Sequence, residues 1–194
     1  MKYVISTMRP RFLILALVCV FLGTAAAIWT AGAVNPWHVV LSFIGGLAAH
    51  GCVNAINDYT DIRSGLDFRT NRTPFSGGSG TFVAEPGKIH LALWTTIVTA
   101  VITAVIGIYF AVEIGWPILL IGAVGLVVIF TYTKWLNRQP FLCLVSPGFG
   151  FGTLMVLGTF FVLTGKVTWV ALIASFIPFF LVSNLLLLNQ FPDV

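Results

Sequence analysis

Six apolar runs, each long enough to cross a bilayer, take up almost all of the 194 residues. A spanning helix needs roughly 20 predominantly apolar residues. Runs at about 11–34, 37–57, 89–112, 116–136, 144–164 and 168–190 reach that length. In hydrocarbon the backbone must satisfy its own hydrogen bonds, and these runs do so as helices. The expected fold is therefore all-α, a polytopic transmembrane helix bundle, with residues 1–194 forming one membrane domain. A mean hydropathy of +1.01, with only 8% charged residues, excludes a water-soluble domain.

The formal net charge of +4 is no sign of nucleic-acid binding, because the basic residues follow the turns between spans. Lys2, Arg9 and Arg11 precede the first run; Arg63, Arg69, Arg72 and Lys88 follow the second; Lys134 and Arg138 follow the fourth. Lys166 alone falls on the other side. Positive residues mark the cytoplasmic face, so the N-terminus and the 58–88 segment are expected there. The first run continues past its alanines through Ala33, so it reads as a span rather than a cleaved signal peptide. Trp29 and Trp37 fit an aromatic belt at the opposite face. The three cysteines are scattered through apolar runs and read as packing residues. His50 reads as a satisfied intramembrane histidine, and His38 and His90 as interfacial ones.

Half of the six acidic residues, Asp58, Asp61 and Asp67, lie where the second run ends. They open a polar, Gly-rich segment at 58–88, longer than ordinary connections, which is read as a cytoplasmic loop with a functional role. The sixth run ends similarly: "NDYTD" at 57–61 is matched by "NQFPD" at 189–193. Asn57 and Asp61, like Asn189 and Asp193, are spaced i, i+4, which places each pair on one helical face if the helix continues that far. A solvated helix end paired with arginines would explain either cluster alone; the repetition favours a bound metal. Mg²⁺ takes carboxylate and amide oxygens and is completed by substrate phosphates. Arg63, Arg69 and Arg72 suit bidentate phosphate contacts, and the "SGGSG" at 76–80 offers backbone N–H groups to an anion or is simply a permissive loop. Asn54 either supports the site or hydrogen-bonds within the bundle.

"NDYTDIRSGLD" resembles the first Asp-rich motif of the UbiA superfamily of intramembrane prenyltransferases, and "NQFPDV" the start of the second. The offsets of Asn57, Asp61 and Asp67 (0, 4 and 10), "RPRF" near the N-terminus and "FGTLMVLGTFFVLTG" at 151–165 resemble the 1,4-dihydroxy-2-naphthoate, or menaquinone, branch. The resemblance implies nine transmembrane helices, six of them present, and a chain incomplete at its C-terminus. It also implies Mg²⁺, a polyprenyl diphosphate donor, an aromatic acceptor, and a site on the cytoplasmic side of a bacterial or archaeal membrane. By the same resemblance Asp61, Asp67 and Asp193 act in catalysis, and together with Asn57 and Asn189 they hold the metal. Asp58, Arg63, Arg69, Arg72, Tyr132, Lys134, Asn57 and Asn189 contact the substrate. Tyr59 and Tyr132 offer aromatic faces to an allylic cation. Two features depart from the branch pattern. The further Asp that normally follows Asp193 lies beyond the sequence, and "FLCLVSPGFG" stands where a Gly-Glu pair is usual. Other readings are transfer to 4-hydroxybenzoate or a lipid, a CDP-alcohol phosphotransferase whose long motif is missing here, or a cation transporter, whose acids belong nearer the midplane.

Overall fold

The computed structural model describes residues 1–69, 78–132, 135–136 and 139–190, with the side chains of Asn189 and Gln190 excepted. Arg72, Lys134 and Asp193 lie outside the described residues, as does the side chain of Asn189. The described residues form helices and turns, with no strand among them. A short α1 (Lys2–Thr7) precedes α2 (Pro10–Ala31), α3 (Pro36–Ser64), α4 (His90–Glu113), α5 (Pro117–Tyr132), α6 (Pro140–Gly148), α7 (Leu157–Thr164) and α8 (Trp169–Gln190). Five segments are long and apolar enough to cross a membrane, α6 and α7 being joined into one of them, while α5 is a shorter apolar helix of 16 residues. This is the polytopic helical bundle of an integral membrane protein.

Proline begins α2, α3 and α6, where its missing N–H goes unmissed. Asn35 Oδ1 accepts from the Trp37 N–H at 2.9 Å and caps α3. The largest departure from the sequence reading is at the far end of α3. The helix was expected to stop near 57, yet it runs two further turns to Ser64, so the polar loop begins at Gly65 rather than at 58. Gly65 ends it in the left-handed region at φ 78°, its N–H donating to the Asp61 and Ile62 carbonyls. Asp58 and Asp61 are therefore helical residues.

The fifth run also differs. It starts at Pro140, not 144, and its middle, Phe149–Val156, is π-helical. Pro147 lies inside α6 just before that stretch. A proline within a helix removes one N–H and crowds the carbonyl four residues earlier, and a wider turn relieves this. Gly148 and Gly152 lie one turn apart against α8. A Cβ on Gly152 would sit 2.5 Å from the Phe179 nitrogen and 2.6 Å from the Ser175 carbonyl oxygen, so the two backbones touch directly. Gly46 instead packs against the Val20 side chain, while Gly45, Gly46 and Ala49 also border a cavity, so the small residues of α3 serve both packing and space.

Val98, Val101, Val105, Ile108 and Val112 form an exposed stripe along α4, as a lipid-facing helix requires. Trp29, Trp37, Trp116 and Trp169 are exposed around the turns at one end of the bundle, with Trp94 and Trp135 exposed toward the other. That is the pattern of two aromatic belts, and it includes both tryptophans named from the sequence.

Candidate active site

At the end of the bundle away from the four-tryptophan belt, α3 presents two polar faces. One carries Asn54 and Asp58 and grips the N-terminal segment. Asn54 Nδ2 donates to the Met8 carbonyl at 2.8 Å. Asp58, 1% exposed, accepts from Arg9 Nη2 at 2.5 Å, from Thr7 Oγ1 at 2.9 Å, from the Ser79 N–H at 3.3 Å and from Ser79 Oγ. Arg9 reaches this position from a left-handed turn, φ 51°, between α1 and α2. Asp58 thus ties α1, α3 and the 78–81 segment together. Its oxygens are engaged by protein groups, which suits positioning rather than direct contact with a diphosphate.

The α1 helix carries the tie outward. Ser6 and Thr81 share a hydrogen bond of 2.5 Å, Tyr3 stacks on Phe82 with ring centroids 6.2 Å apart, and Lys88 Nζ donates to the Tyr3 hydroxyl at 2.8 Å. Phe82 is buried with Ile62 and Ala92 beneath this clasp. Asp58→Ala should therefore lower stability by about 3 kcal/mol, because it strands the Arg9 guanidinium and releases the 78–81 segment. Thermal unfolding in detergent, together with protease sensitivity near residue 79, measures this.

The second face of α3 carries Asn57 and Asp61. Because the helix persists, the i, i+4 spacing does align them. Asp61 is half-buried, and among the described residues its carboxylate has no hydrogen bond or salt bridge. The charges of Asp67 and Asp58 both bear on it, offset in part by Arg9. Asp67 sits in the single turn Leu66–Phe68 and is 5% exposed. Its carboxylate lies against Gly78, where a Cβ would come within 2.8 Å of Oδ1 and where φ is +75°. Only glycine meets both demands, so Gly78→Ala should displace Asp67 and cost about 1–3 kcal/mol. Comparing the unfolding midpoint with that of Gly87→Ala, a position with open space, isolates the effect. The Gly-rich segment does meet anions as the sequence suggested; among the described residues they are the protein's own carboxylates.

Asn57, Arg9 and Tyr132 border a partly open cavity of about 500 Å³ lined by α2 to α8 with the π-helical stretch. Its walls are largely apolar, with Leu41, Ile106, Ile121, Leu154 and Leu186 among them. The sequence-derived set therefore divides. Asn57 and Tyr132 border the cavity, the charge of Asp61 reaches Tyr132, and that of Asp67 reaches Asp61. Arg63 and Arg69 are exposed, and Arg63 lies over the Tyr59 ring at 5.7 Å and donates to its hydroxyl at 3.2 Å. Tyr59 packs with Ile62 and Phe82 instead of bordering the cavity, so it is not placed to face a cation there.

Two residues that matter here carried no functional reading in the sequence: Arg9 and His50. Arg9 pairs with a residue 49 positions away, which no local pattern reveals. His50 was read as satisfied; its Nδ1 has no hydrogen-bond partner among the described residues.

Could the acidic group hold a cation? Among the described residues no three His, Cys, Asp or Glu side chains converge as a complete metal site. The fit rests instead on charge: a half-buried carboxylate with no ion pair among the described residues, under the like charge of Asp67, on the helix face that borders the apolar cavity through Asn57. Two carboxylates and an amide suit a hard ion completed by ligand oxygens.

Curated proteins resemble this chain along nearly its whole length. It is 29% identical over 198 residues to a 1,4-dihydroxy-2-naphthoate octaprenyltransferase of Mycobacterium leprae (strain TN), covering 98% of this chain and 63% of that protein. Proteins of the same name from Bacillus subtilis (strain 168) and Mycobacterium tuberculosis (strain ATCC 25618 / H37Rv) are 28% and 29% identical, covering 96% and 98% of this chain. The chain spans about three fifths of the length of these curated relatives. No solved structure matches it. The family profile described as the UbiA prenyltransferase family matches residues 16–194, and on that match the chain belongs to the UbiA prenyltransferase family.

Proposed function

We propose that the complete gene product transfers a polyprenyl group from polyprenyl diphosphate to an aromatic acceptor of the 1,4-dihydroxy-2-naphthoate type, at the cytoplasmic face of the membrane, with Mg²⁺ as its metal. The observation that carries this reading is the placement of Asn57, which borders a large apolar cavity, on one face of α3 with Asp61, whose carboxylate has no ion pair among the described residues. The family and the printed names of the relatives support the same chemistry.

Such a donor has two incompatible halves. Each buried methylene gains about 0.8 kcal/mol, so the tail belongs in the cavity and lipid, while the diphosphate belongs at the polar mouth. Asp61 and Asp67 are the described residues that would hold the metal with Asn57; Asn189 and Asp193 are proposed to complete the set from the end of the sixth run. Bound there, Mg²⁺ supplies Lewis-acid neutralisation of the leaving diphosphate. Arg63, Arg69, Arg72 and Lys134 are proposed to take the released anion. Tyr132, bordering the cavity, offers its ring face to the allylic cation, an attraction of up to about 2 kcal/mol when desolvated. Apolar walls exclude water from that cation, so the acceptor carbon, not hydroxide, captures it.

The test is transfer of a labelled polyprenyl group by the complete protein in lipid with Mg²⁺, offered dihydroxynaphthoate and 4-hydroxybenzoate separately. Product with the first supports the proposal; product with the second alone reassigns the acceptor; ion flux without transfer supports a transporter instead. The cavity adds a sharper expectation. A Cβ on Gly122 meets open space, and Gly122 borders the cavity. Gly122→Leu should therefore leave the unfolding midpoint nearly unchanged while raising the donor KM roughly tenfold by occupying tail volume. Steady-state kinetics with donors of two lengths read this out, the longer tail losing more.

A further inference from the structure

His50 is a polar group in the cavity that neither the packing nor the proposed diphosphate site uses. It lies seven residues before Asn57 on α3, about 10 Å deeper along the helix. Its ring borders the cavity and is only 5% exposed. Phe151, from the π-helical stretch, meets it edge-on with ring centroids 4.6 Å apart. Its Nδ1 is buried with no hydrogen-bond partner among the described residues.

An unpaired buried polar group is destabilising, a cost that a leucine or phenylalanine at this position would not incur. Buried N–H groups without partners are rarer than buried acceptors without them. A neutral imidazole here is therefore most stable with its proton on Nε2, and that N–H is what the ring can offer a ligand. A prenyl tail is hydrocarbon and would leave the ring as it is. An oxygen-bearing aromatic molecule can accept from the Nε2–H, while Nδ1 stays a buried acceptor. His50, Asn54 and Asn57 recur at four- and three-residue steps, so polar groups continue along one side of α3 from the mouth into an otherwise apolar chamber.

We propose that His50 is a specificity-determining residue for the acceptor: its Nε2–H donates a hydrogen bond to a hydroxyl oxygen of a hydroxylated aromatic ring bound between Phe151 and the mouth. This rests on the prenyl-transfer reading and adds to it the group that recognises the acceptor.

The experiment uses the complete gene product in lipid with Mg²⁺ and polyprenyl diphosphate. It compares 1,4-dihydroxy-2-naphthoate with 1-hydroxy-2-naphthoate, which lacks one hydroxyl. The wild type should prefer the dihydroxy acceptor in kcat/KM. His50→Leu should reduce that preference by roughly tenfold or more through the acceptor KM, leaving the monohydroxy acceptor and the donor KM within about twofold. His50→Gln, which keeps an N–H donor, should restore most of the preference. Dissociation constants of the two acceptors, measured by tryptophan fluorescence on wild type and His50→Gln, give the same ratio if His50→Leu does not assemble; equal constants in the wild type overturn the proposal. Equal losses on both acceptors, or an unchanged ratio in His50→Leu, also overturn it and leave prenyl transfer intact. A wild type that transfers to neither acceptor overturns the proposed function and this inference together.

Discussion

Asp61→Ala in the complete gene product should abolish prenyl transfer, by at least about a thousandfold or ~4 kcal/mol, while the protein becomes no less stable. Both halves follow from the surroundings of Asp61. Its carboxylate has no hydrogen bond or salt bridge among the described residues, so removing it orphans no buried partner. The like charge of Asp67 bears on this half-buried side chain and Arg9 offsets it only in part, so its loss relieves both burial of a charge and repulsion. Alanine is also the best helix former for a position inside α3. On the proposed reading the cost of burying this carboxylate is offset when a cation binds. The contrast with Asp58, three residues earlier on the same helix and different in role, makes the pair diagnostic. Asp58→Ala loses stability because that side chain is spent on Arg9, Thr7 and Ser79; Asp61→Ala loses turnover. Unfolding midpoints and transfer rates for both variants, taken in the same lipid, separate the two effects.

Gly152→Leu should be among the most damaging single changes in the described bundle. The Cβ alone would lie 2.5 Å from the Phe179 nitrogen and 2.6 Å from its Cα, with the Ser175 carbonyl on the other side. These are backbone atoms of α8, so no side-chain rotation makes room. Overpacking a tight contact costs 1–3 kcal/mol when neighbours can shift, and a whole helix must shift here, so a loss above about 3 kcal/mol is expected. Separation of α8 from the π-helical stretch would also open one wall of the cavity, since Gly150, Phe151 and Leu154 line it from that stretch and Val182, Leu185 and Leu186 from α8. The fraction of protein recovered as monodisperse material after solubilisation measures the loss. Gly107→Leu, where a Cβ meets nothing within 4 Å, should be recovered like the wild type.

The spans were legible because length and hydropathy decide them, and the tryptophan belts because interfaces select amphipathic rings. The alignment of Asn57 with Asp61 was legible too, since it needs only the helical period. What escaped notice was decided by contacts remote in sequence. The extra turns of α3 carry charged residues that hydropathy assigns to a loop; they are kept helical by the Gly65 cap and by Asp58 holding the N-terminal turn. The α1 helix is only six residues long and stands through its contacts with Thr81, Phe82 and Lys88 rather than through propensity. The π-helical stretch follows from Pro147, but a proline in an apolar run can kink, end or widen a helix, and the sequence does not choose among these. His50 looked satisfied because an intramembrane histidine usually finds a partner, and only the assembled cavity reveals one that has not.

The most direct test of donor binding is a structure of the complete protein in lipid with Mg²⁺ and a non-cleavable polyprenyl thiolodiphosphate. Its diphosphate is expected beside Asp61 and Asp67, with density for metal between them and the tail running past Gly45, Gly46 and Ile121. A diphosphate bound elsewhere, with the Asp61 carboxylate facing only protein or water, would contradict it.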